Sequence, residues 1–393
     1  MKLLTFSTLY PNAEQNNHGI FVETRLRYLV ASGMANSRVV APVPWFPSEH
    51  ARFGRYASFA RIPETETRQG ILIRHPRYAL IPKIGMYLAP FMMAQSLKKV
   101  IAQIIRDGYD FDLIDAHYFY PDGVAAVMLG KYFNKPVVIT ARGSDINLIG
   151  QKPLARTLIL WAARNAAAVI TVCAALKNEL VKMGAEASHI TPLRNGVDLQ
   201  RFHRLEKAQI RTELGLNRFT LLTVGALTEN KGHHIAIQAL VHLPDTNLMI
   251  VGAGPDLDKL QSLAKKLKVA DRVRFVGAIA QTELIRYYNA ADLMVLMSAR
   301  EGWANVLLES MACGTPVIAT DVGGSSEVIM AKEAGLLVEE RTPAALAAAV
   351  TLLRSDFPSC AQTRQYAEKY SWDETTRGQL DLFNTILNGR ADL

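Results

Sequence analysis

The sequence predicts an α/β protein with two doubly wound parallel sheets. Short runs rich in Val, Ile and Leu alternate with stretches of helical spacing, and this alternation restarts after a polar segment near residues 194–204. Apolar strands between helices are typical of parallel sheets that are covered on both faces. The chain has 393 residues, whereas one hydrophobic core rarely serves more than about 250–300. We therefore expect two Rossmann-like domains, residues 1–195 and 196–374, that face each other across a cleft.

The first half contains five predicted strands and three predicted helices. Apolar runs place the strands at residues 2–7, 37–41, 111–117, 136–140 and 168–172. The spacing of Phe21, Leu26 and Leu29 predicts a helix over residues 20–32, which Gly33 ends. Two more helices are predicted over residues 124–133 and in the segment that ends near residue 166.

The second half repeats this pattern. Strands are predicted at residues 219–224, 247–251, 273–276, 293–297 and 316–319, with helices at 234–241, 282–290, 306–313 and 344–350. The glycine-containing segment 252–255 is expected to open one further helix. Because ligands of open parallel sheets bind beyond the carboxyl ends of the strands, residues that follow strands are the candidates for function.

Composition excludes several classes of protein. No uncharged apolar run reaches about 18 residues, which predicts that no helix spans a membrane. The apolar start of the chain is too short for a signal peptide. Cys173, Cys313 and Cys360 lie far apart and show neither metal-ligand spacing nor a disulfide framework. We therefore expect a protein of the reducing cytoplasm.

The net charge of +8 is unevenly distributed. Residues 1–195 contain 23 Lys and Arg against 13 Asp and Glu, a net charge of +10, whereas the remainder carries −2. This excess indicates an anionic partner of the first half, such as a membrane surface, a phosphorylated substrate or a nucleic acid. Charge that serves solubility alone fits equally well.

The segment from Glu301 to residue 317 is the richest in chemistry. It predicts a loop after a strand, a helix capped by Asn305, a glycine stop at Gly314 and a new strand. The free N–H groups at the start of such a helix attract phosphate. Glu301 and Glu309 flank this start and could accept hydrogen bonds from hydroxyl groups of a sugar and a ribose. From spacing alone, a solvated glutamate and a helix-dipole glutamate fit as well.

This segment resembles the E-x₇-E pattern of the retaining family 4 glycosyltransferases, which have the GT-B fold. Further segments match in order along nearly the whole chain: residues 115–117, 140–145, 195–198, 224–232, 251–255 and 320–329. The resemblance implies that residues 1–195 bind an acceptor and residues 196–374 bind a nucleotide-sugar donor. It also implies that residues 375–393 return to the first domain.

The resemblance implies roles for individual residues. Glu301 would contact hydroxyl groups of the transferred sugar, Glu309 would contact the ribose, and Lys231 would neutralise the leaving diphosphate. Backbone N–H groups around Asn305, Val306 and Leu307 would hold the diphosphate, and Gly225 lies in the segment that resembles the donor-phosphate loop. Gly19 lies between the first strand and a helix, where a glycine lets the backbone approach a phosphate. A helix-entry glycine in a flexible loop is the alternative for Gly19. The donor-binding set is Gly19, Gly225, Lys231, Glu301, Gly302, Asn305, Val306, Leu307 and Glu309.

The sequence departs from the family pattern at three positions. Ala226 stands where the family often has an arginine that pairs with the diphosphate. Arg142 stands where a histidine is frequent, so its cation could replace the missing charge or bind a phosphorylated acceptor. His18 precedes Gly19 where a pair of glycines is common, and it could contact the donor or simply belong to the loop.

His117 and Asp145 are the remaining candidates. His117 ends a buried strand, and the resemblance favours a substrate role over that of a core histidine. Asp145 could orient the acceptor or cap the following helix. Together with Lys231, Glu301 and Arg142 they make up the expected catalytic set.

Residues 45–83 are basic and aromatic, with seven Lys and Arg against Glu49, Glu64 and Glu66. The apolar stretch 84–97 and Lys98-Lys99 follow. Basic and aromatic segments bind anionic membranes, and the family resemblance suggests a glycan or polyprenyl-linked acceptor. Residues 45–99 therefore predict peripheral contact with the inner face of the cell membrane. A surface excursion whose aromatic side chains pack on the domain is the alternative.

The resemblance implies transfer of a sugar from a nucleotide sugar with retention of anomeric configuration, and we expect a UDP-sugar rather than a GDP-sugar. The resemblance also implies that neither a metal nor another cofactor is needed. A sugar-nucleotide epimerase or hydrolase of the same fold is the main alternative. A nucleic-acid-binding protein is disfavoured because no known module appears. A dehydrogenase is disfavoured because G-x-G-x-x-G follows neither first strand.

Overall fold

The computed structural model describes residues 1–80 and 85–391. Lys83 of the basic segment, Ile84 of the apolar stretch and residues 392–393 lie outside the described residues. The chain forms two units, one of Met1–Arg194 with Asp373–Leu393 and the other of Asn195–Trp372. None of the described helices is both long enough and apolar enough to cross a membrane.

The described part of the first unit is built on a sheet of eight strands. Their order is β10-β9-β8-β7-β1-β2-β5-β4, and every neighbouring pair is parallel except β4 with β5. The strands of this unit, including the small parallel pair β3-β6, are β1 Lys2–Phe6, β2 Asn36–Val40, β3 Val43–Pro44, β4 Thr65–Arg68, β5 Ile71–Arg74, β6 Arg77–Tyr78, β7 Leu113–His117, β8 Val137–Ala141, β9 Ala168–Thr171 and β10 Ile190–Pro192.

Helices follow most strands of the first unit. They are α1 Ile20–Ala31, α2 Arg55–Arg61, α3 Gly85–Arg106, α4 Val124–Phe133, α5 Ser144–Asn147, α6 Pro153–Asn165 and α7 Ala174–Met183. The central strands β7 and β8 are buried at every residue. This burial on both faces explains why their sequences read as continuous apolar runs.

The second unit contains a sheet of six parallel strands within the described residues, in the order β13-β12-β11-β14-β15-β16. Its strands are β11 Phe219–Val224, β12 Thr246–Val251, β13 Val273–Gly277, β14 Leu293–Leu296, β15 Val317–Thr320 and β16 Gly335–Val338. Its helices are α8 Lys207–Glu213, α9 His233–Ala239, α10 Leu257–Lys266, α11 Gln281–Ala290, α12 Asn305–Ala312, α13 Ser325–Val328, α14 Pro343–Ser355 and α15 Cys360–Glu368.

The last helix, α16, spans Trp372–Ala391, and its residues from Asp373 onward belong to the first unit. Phe383 is fully buried in the apolar core of that unit together with Leu3, Leu26 and Leu113. A Cβ atom on Gly378 would lie 2.7 Å from Leu193 Cδ2, so this helix closely approaches the segment after β10. The C-terminal segment is therefore an integral part of the first core.

The structure corrects three local expectations. Residues 45–83 are not a simple surface excursion, because β5 pairs with β2 and β4 extends the sheet as its antiparallel border strand. Asn305 does not cap α12, because the helix begins at Asn305 itself and Ala304 takes the cap position. The glycine segment 252–255 precedes α10 but does not begin it, since the first helical residue is Leu257.

Candidate active site

Two glycine-containing loops meet beyond β11 and β12 in the second unit. The backbone N–H of Gly225 donates to the carbonyl oxygen of Val251 at 3.0 Å, and that of Leu227 donates to Ala253 at 3.0 Å. A Cβ atom on Gly252 would lie 1.9 Å from the carbonyl oxygen of Gly225, so a larger residue cannot fit there. The backbone contacts fix the loop that resembles the donor-phosphate loop.

Lys231 lies in the short turn that ends this loop. Its Nζ is 2.6 Å from Oε1 of Glu301, and the Glu301 side chain is only 9% exposed. Gly232 follows in the left-handed region with φ 71°, and a Cβ atom there would lie 2.0 Å from the carbonyl oxygen of Met297. The glycine therefore brings the turn against the end of β14, which places the lysine beside the segment that carries Glu301.

Buried His233 orients the same loop. Its Nδ1 lies 3.2 Å from Oγ1 of Thr223, and its Nε2 lies 3.1 Å from the carbonyl oxygen of Ala226. Burial lowers the pKa of His233 to about 4, so the ring is neutral at pH 7. Since a carbonyl only accepts, Nε2 carries the proton and donates it to Ala226. Sequence reasoning missed this histidine, although it directly follows the Lys-Gly pair.

Glu309 lies within α12 and is 8% exposed. The hydroxyl of Tyr288 donates to its Oε2 at 2.8 Å, and the side-chain amide of Gln281 donates to its Oε1 at 3.3 Å. Burial raises the pKa of Glu309, while the two donors oppose that effect. The carboxylate is therefore oriented by α11, and neither donor was foreseen from the sequence.

The start of α12 lies between the two glutamates. Asn305 Oδ1 accepts a hydrogen bond from Asn195 Nδ2 at 3.2 Å, instead of capping the helix. Within residues 1–80 and 85–391, no side chain caps this helix. The N–H groups of Asn305 and Leu307 donate to the carbonyl oxygens of Trp303 and Ala304 at 3.2 and 3.1 Å. The N–H of Val306 is one of those that a helix leaves without an intrahelical partner. Gly302 is bonded through its carbonyl oxygen to the N–H of Gly324 at 3.0 Å.

Four buried polar atoms surround this segment without a hydrogen-bond partner among the described residues. They are Asn230 Oδ1, Ser298 Oγ, Trp303 Nε1 and Ser325 Oγ. Buried polar groups are nearly always satisfied by protein, water or ligand. The second unit therefore contains several buried hydrogen-bonding groups in the segments around Glu301 that no described residue satisfies.

In the first unit, Gly19 occupies the cap position before α1, in the left-handed region with φ 66°. A Cβ atom there would lie 2.3 Å from the backbone of Leu9. His18 Nε2 lies 3.1 Å from the carbonyl oxygen of Thr8, and burial lowers the pKa of this histidine. The first loop thus folds back on its own start, with His18 engaged in that closure.

His117, at the end of β7, has both ring nitrogens directed at charged neighbours. Arg142 Nη2 lies 2.8 Å from Nδ1, and Asp115 Oδ2 lies 3.3 Å from Nε2. Burial lowers the pKa of His117 to about 4, and the nearby arginines act in the same direction. Because a guanidinium group only donates, Nδ1 is the acceptor and Nε2 carries the proton. The carboxylate of Asp115 lies close to this Nε2 without the geometry of a hydrogen bond.

Arg142 stays cationic at pH 7, although burial and the charge of Arg25 lower its pKa to about 9. Its Cζ atom also lies 5.3 Å from the ring centre of Phe21, near the start of α1. His117, Arg142 and Asp115 therefore form one cluster of polar side chains, at the carboxyl ends of β7 and β8. The sequence placed these residues at strand ends but did not show that they contact one another.

Asp145 is fully buried and accepts backbone N–H groups of Phe119, Arg142, Gly143 and Ile146 at 2.7–3.2 Å. Burial raises its pKa, and these donors oppose the rise. Both carboxylate oxygens are used within the loop that follows β8. Asp145 therefore stabilises this loop through backbone hydrogen bonds. This role is closer to the expected helix cap than to contact with the acceptor.

No group of three or more His, Cys, Asp or Glu side chains that could hold a metal ion occurs in the part of the chain that the structure describes.

Comparison with known proteins agrees with this architecture. The family described as "Glycosyl transferases group 1" matches residues 206–370, and "Glycosyltransferase Family 4" matches residues 26–201. TuaC of Bacillus subtilis (strain 168), named for teichuronic acid biosynthesis, is 32% identical over 360 residues, which cover 89% of this chain and 88% of TuaC.

Solved structures match over nearly the full length. The sucrose-phosphate synthase of Thermosynechococcus elongatus has a TM-score of 0.83 at 22% identity and covers 99% of both chains. HepE of Anabaena, solved in complex with UDP-glucose, has a TM-score of 0.72 at 19% identity and covers 100% of this chain and 99% of HepE.

The protein is an enzyme that transfers glycosyl groups, and its two parallel-sheet units are those of the GT-B fold. It belongs to the family 4 glycosyltransferases. The predicted fold class, family and enzyme class are thereby confirmed.

Proposed function

We propose that this enzyme transfers a sugar from a nucleotide diphosphate sugar to a hydroxyl group of a glycan or lipid-linked glycan, with retention of configuration. The observation that carries the proposal is the pairing of Lys231 with Glu301 beside the uncapped start of α12. One cation, one carboxylate and the start of a helix thus lie together at the carboxyl end of one sheet. The similarity to HepE, solved with UDP-glucose, favours a UDP-sugar over a GDP-sugar.

In this proposal the second unit binds the donor. The N–H groups near Asn305, Val306 and Leu307 hold the diphosphate, as helix starts favour anions. Lys231 moves from Glu301 to the diphosphate, which frees the carboxylate to accept hydrogen bonds from the sugar. Glu309 accepts hydrogen bonds from the ribose hydroxyl groups.

The transfer step needs no nucleophile from the protein. The bond from the anomeric carbon to the diphosphate oxygen breaks, and the acceptor oxygen bonds to the same carbon on the same face. The acceptor proton passes to the departing phosphate oxygen. The enzyme contributes orientation and stabilisation of the leaving charge, which are among the largest catalytic effects in dry sites. Lys231 and α12 supply positive charge there, and we propose that the reaction proceeds without metal.

Calorimetric titration with UDP and with GDP, each with and without EDTA, tests the donor site. We expect one nucleotide to bind equally well in EDTA and Glu309→Gln to weaken that binding about tenfold, since a hydrogen bond to a charged group contributes about 1.5–3 kcal/mol. The exposed Glu340 gives the control Glu340→Gln, which should bind normally. Failure of both nucleotides to bind, or equal effects of the two variants, would contradict the site.

A sugar-nucleotide epimerase or hydrolase remains the second candidate, because such an enzyme would use the same donor site. Incubation of the nucleotide sugar with the enzyme alone distinguishes the two. A transferase leaves the donor unchanged until an acceptor is added, whereas rapid release of sugar or formation of an epimer without acceptor would favour the second candidate.

We propose that Arg142 supplies positive charge that the family pattern places elsewhere. The chain has Ala226 at the position where the family often has an arginine, and Arg142 is a cation held by His117. Arg142→Ala should lower turnover strongly, and Ala226→Arg in that variant should restore part of it. Full activity of Arg142→Ala would overturn the idea. Loss without any restoration would point to a phosphorylated acceptor as the ligand of Arg142.

Fewer side chains of residues 45–99 are available for contact with a membrane than the sequence suggested. Four arginines of this segment already have partners in the first unit. Arg61 pairs with Glu14, Arg68 with Glu23 and Arg74 with Asp107, and Arg77 donates to backbone carbonyl oxygens. These contacts reduce the charge available to lipids. Exposed apolar side chains remain, among them Trp45 at 57%, Leu88 at 40% and Phe91 at 45%.

We propose that Leu88 and Phe91, one turn apart on α3, meet the acceptor membrane at the inner face of the cell membrane. Flotation with vesicles of phosphatidylglycerol and phosphatidylcholine tests this surface. The double variant Leu88→Gln, Phe91→Gln should stay at the bottom of the gradient while the wild type floats. Leu352→Gln, which changes an exposed leucine of the second unit, is the control. Flotation of the double variant would refute the surface.

A further inference from the structure

Gln379, on helix α16, connects two charged groups of the first unit. Its Oε1 accepts from Arg25 Nε at 2.8 Å, and its Nε2 donates to Asp115 Oδ2 at 3.0 Å. Gln379, Arg25 and Asp115 are each only 1% exposed. The C-terminal helix therefore reaches the buried polar cluster at the ends of the central strands.

The two contacts determine the orientation of the amide. Turned the other way, the NH₂ group of Gln379 would face the N–H of Arg25, and its oxygen would face the carboxylate of Asp115. A glutamine is suited to this place because it accepts from a cation and donates to an anion at once. A glutamate would repel Asp115, and an apolar side chain would serve neither neighbour.

The amide of Gln379 is the hydrogen-bond donor that the structure records for the Asp115 carboxylate within residues 1–80 and 85–391. The same oxygen faces Nε2 of His117 at 3.3 Å. An anion at that place stabilises the tautomer with the proton on Nε2. The tautomer in turn leaves Nδ1 free to accept from Arg142 at 2.8 Å.

The structure assigns Gln379 as a positioning residue: through Asp115 and His117 it holds the guanidinium group of Arg142 at the edge of the sheet. This inference rests on the proposed function in one respect, namely that transfer uses the charge of Arg142. It gives the C-terminal helix a role in the reaction besides its packing. Gln379 itself touches no substrate in this assignment.

The test compares two substitutions on the same face of α16. Gln379→Met keeps the length of the side chain but removes both hydrogen bonds. Thr375→Val removes the hydrogen bond from the Thr375 hydroxyl to the carbonyl oxygen of Arg194, one turn away, and leaves the cluster intact. Both side chains are buried, so a loss of general packing should affect the two variants alike.

The first readout is the ¹⁵N spectrum of the imidazole rings in protein labelled at histidine. The His117 signals are identified by their absence in His117→Gln. We expect a protonated Nε2 and an unprotonated Nδ1 in the wild type and in Thr375→Val, and a shifted or mixed pattern in Gln379→Met. An unchanged His117 pattern in Gln379→Met would overturn the inference, as would an equal change in Thr375→Val.

The second readout is steady-state kinetics with the nucleotide sugar. Gln379→Met should lower kcat at least tenfold while the KM for the donor changes less than twofold, and Thr375→Val should retain the wild-type kcat. A kcat of Gln379→Met within twofold of the wild type would contradict the inference. If the wild type transfers no sugar at all, the proposed function fails, whereas the imidazole spectrum still decides whether Gln379 orients His117.

Discussion

The hydroxyl group of Tyr288 bonds to the carboxylate of Glu309 at 2.8 Å, and both side chains are buried. Burial and the neighbouring carboxylate raise the pKa of Tyr288 well above its usual value, so its hydroxyl stays protonated and remains a donor. Such a fixed partner favours the ribose contact proposed for Glu309, because a free rotamer would have to be ordered on binding.

Tyr288→Phe should therefore weaken nucleotide binding. A hydrogen bond to a charged group contributes about 1.5–3 kcal/mol, and the carboxylate keeps its bond to Gln281, so we expect roughly a three- to tenfold rise in Kd. Calorimetric titration with the cognate nucleotide measures it. The adjacent Tyr287→Phe is the control, and equal affinities of the two variants would show that Tyr288 does not orient Glu309.

Asp122 is a single residue that makes the stability of the protein depend on pH. It is fully buried, and burial raises its pKa to about 7, although the backbone and hydroxyl of Thr8 donate to it. In the unfolded chain this carboxyl group titrates near pH 4. Between about pH 4 and pH 7 the unfolded state loses the proton and the folded state keeps it. Because Asp122 ionises first in the unfolded chain, the free energy of unfolding falls progressively as the pH rises through this window.

Asp122→Asn removes this dependence. The stability of the variant relative to the wild type should increase from pH 4 to pH 7 and then become constant. Urea unfolding at a series of pH values measures the difference, in which the contributions of the other titrating groups cancel. A difference that is independent of pH would mean that Asp122 is ionised throughout.

At the scale of elements, the conformation of the loop between β1 and α1 depends on Gly19. Gly19 combines a left-handed conformation with a close approach to Leu9, whereas Gly33 has φ 73° with no heavy atom within 4 Å of an added Cβ. Comparing alanine at the two positions therefore separates backbone strain from steric contact.

Gly33→Ala should cost about 1 kcal/mol of stability, the usual penalty of a left-handed alanine. Gly19→Ala should cost more, because the loop backbone must also move, and should reduce activity. Thermal unfolding and a transfer assay measure both. Equal losses of stability would show that the loop accommodates the methyl group without strain.

Sequence reasoning located most elements because buried parallel strands are continuous apolar runs. The predicted strand at residues 219–224 and helix at 124–133 coincide with β11 and α4. β4 was missed because its four residues, Thr-Glu-Thr-Arg, are all polar or charged, and the sheet, rather than local preference, makes them a strand. β5 was missed because its apolar run, Ile71–Ile73, is only three residues long. The contact of Gln379 with Asp115 was also unforeseeable, since 264 positions separate the two residues.

At the scale of the whole molecule, each unit has a core of its own, and the C-terminal helix belongs to the first. Phe383 is fully buried there, and Leu346 is fully buried in the core of the second unit. Unfolding of this protein therefore need not be a single cooperative step.

Phe383→Ala should destabilise the first unit by about 3–5 kcal/mol. Hydrogen exchange followed by mass spectrometry should show lost protection in β1 and β7, with β11 and β12 unchanged. Leu346→Ala should give the reverse pattern. Loss of protection in both sheets from either variant would show that the two units unfold together.

The border strand β4 has a consequence for solubility. A free sheet edge invites pairing with the edge of another molecule, and proteins counter this with short strands and charged side chains. β4 has four residues, Thr-Glu-Thr-Arg, and its charges are fixed by neighbours, Glu66 by His75 and Arg68 by Glu23. The strand that the charge pattern concealed from sequence analysis thus protects the largest sheet of the enzyme against self-association.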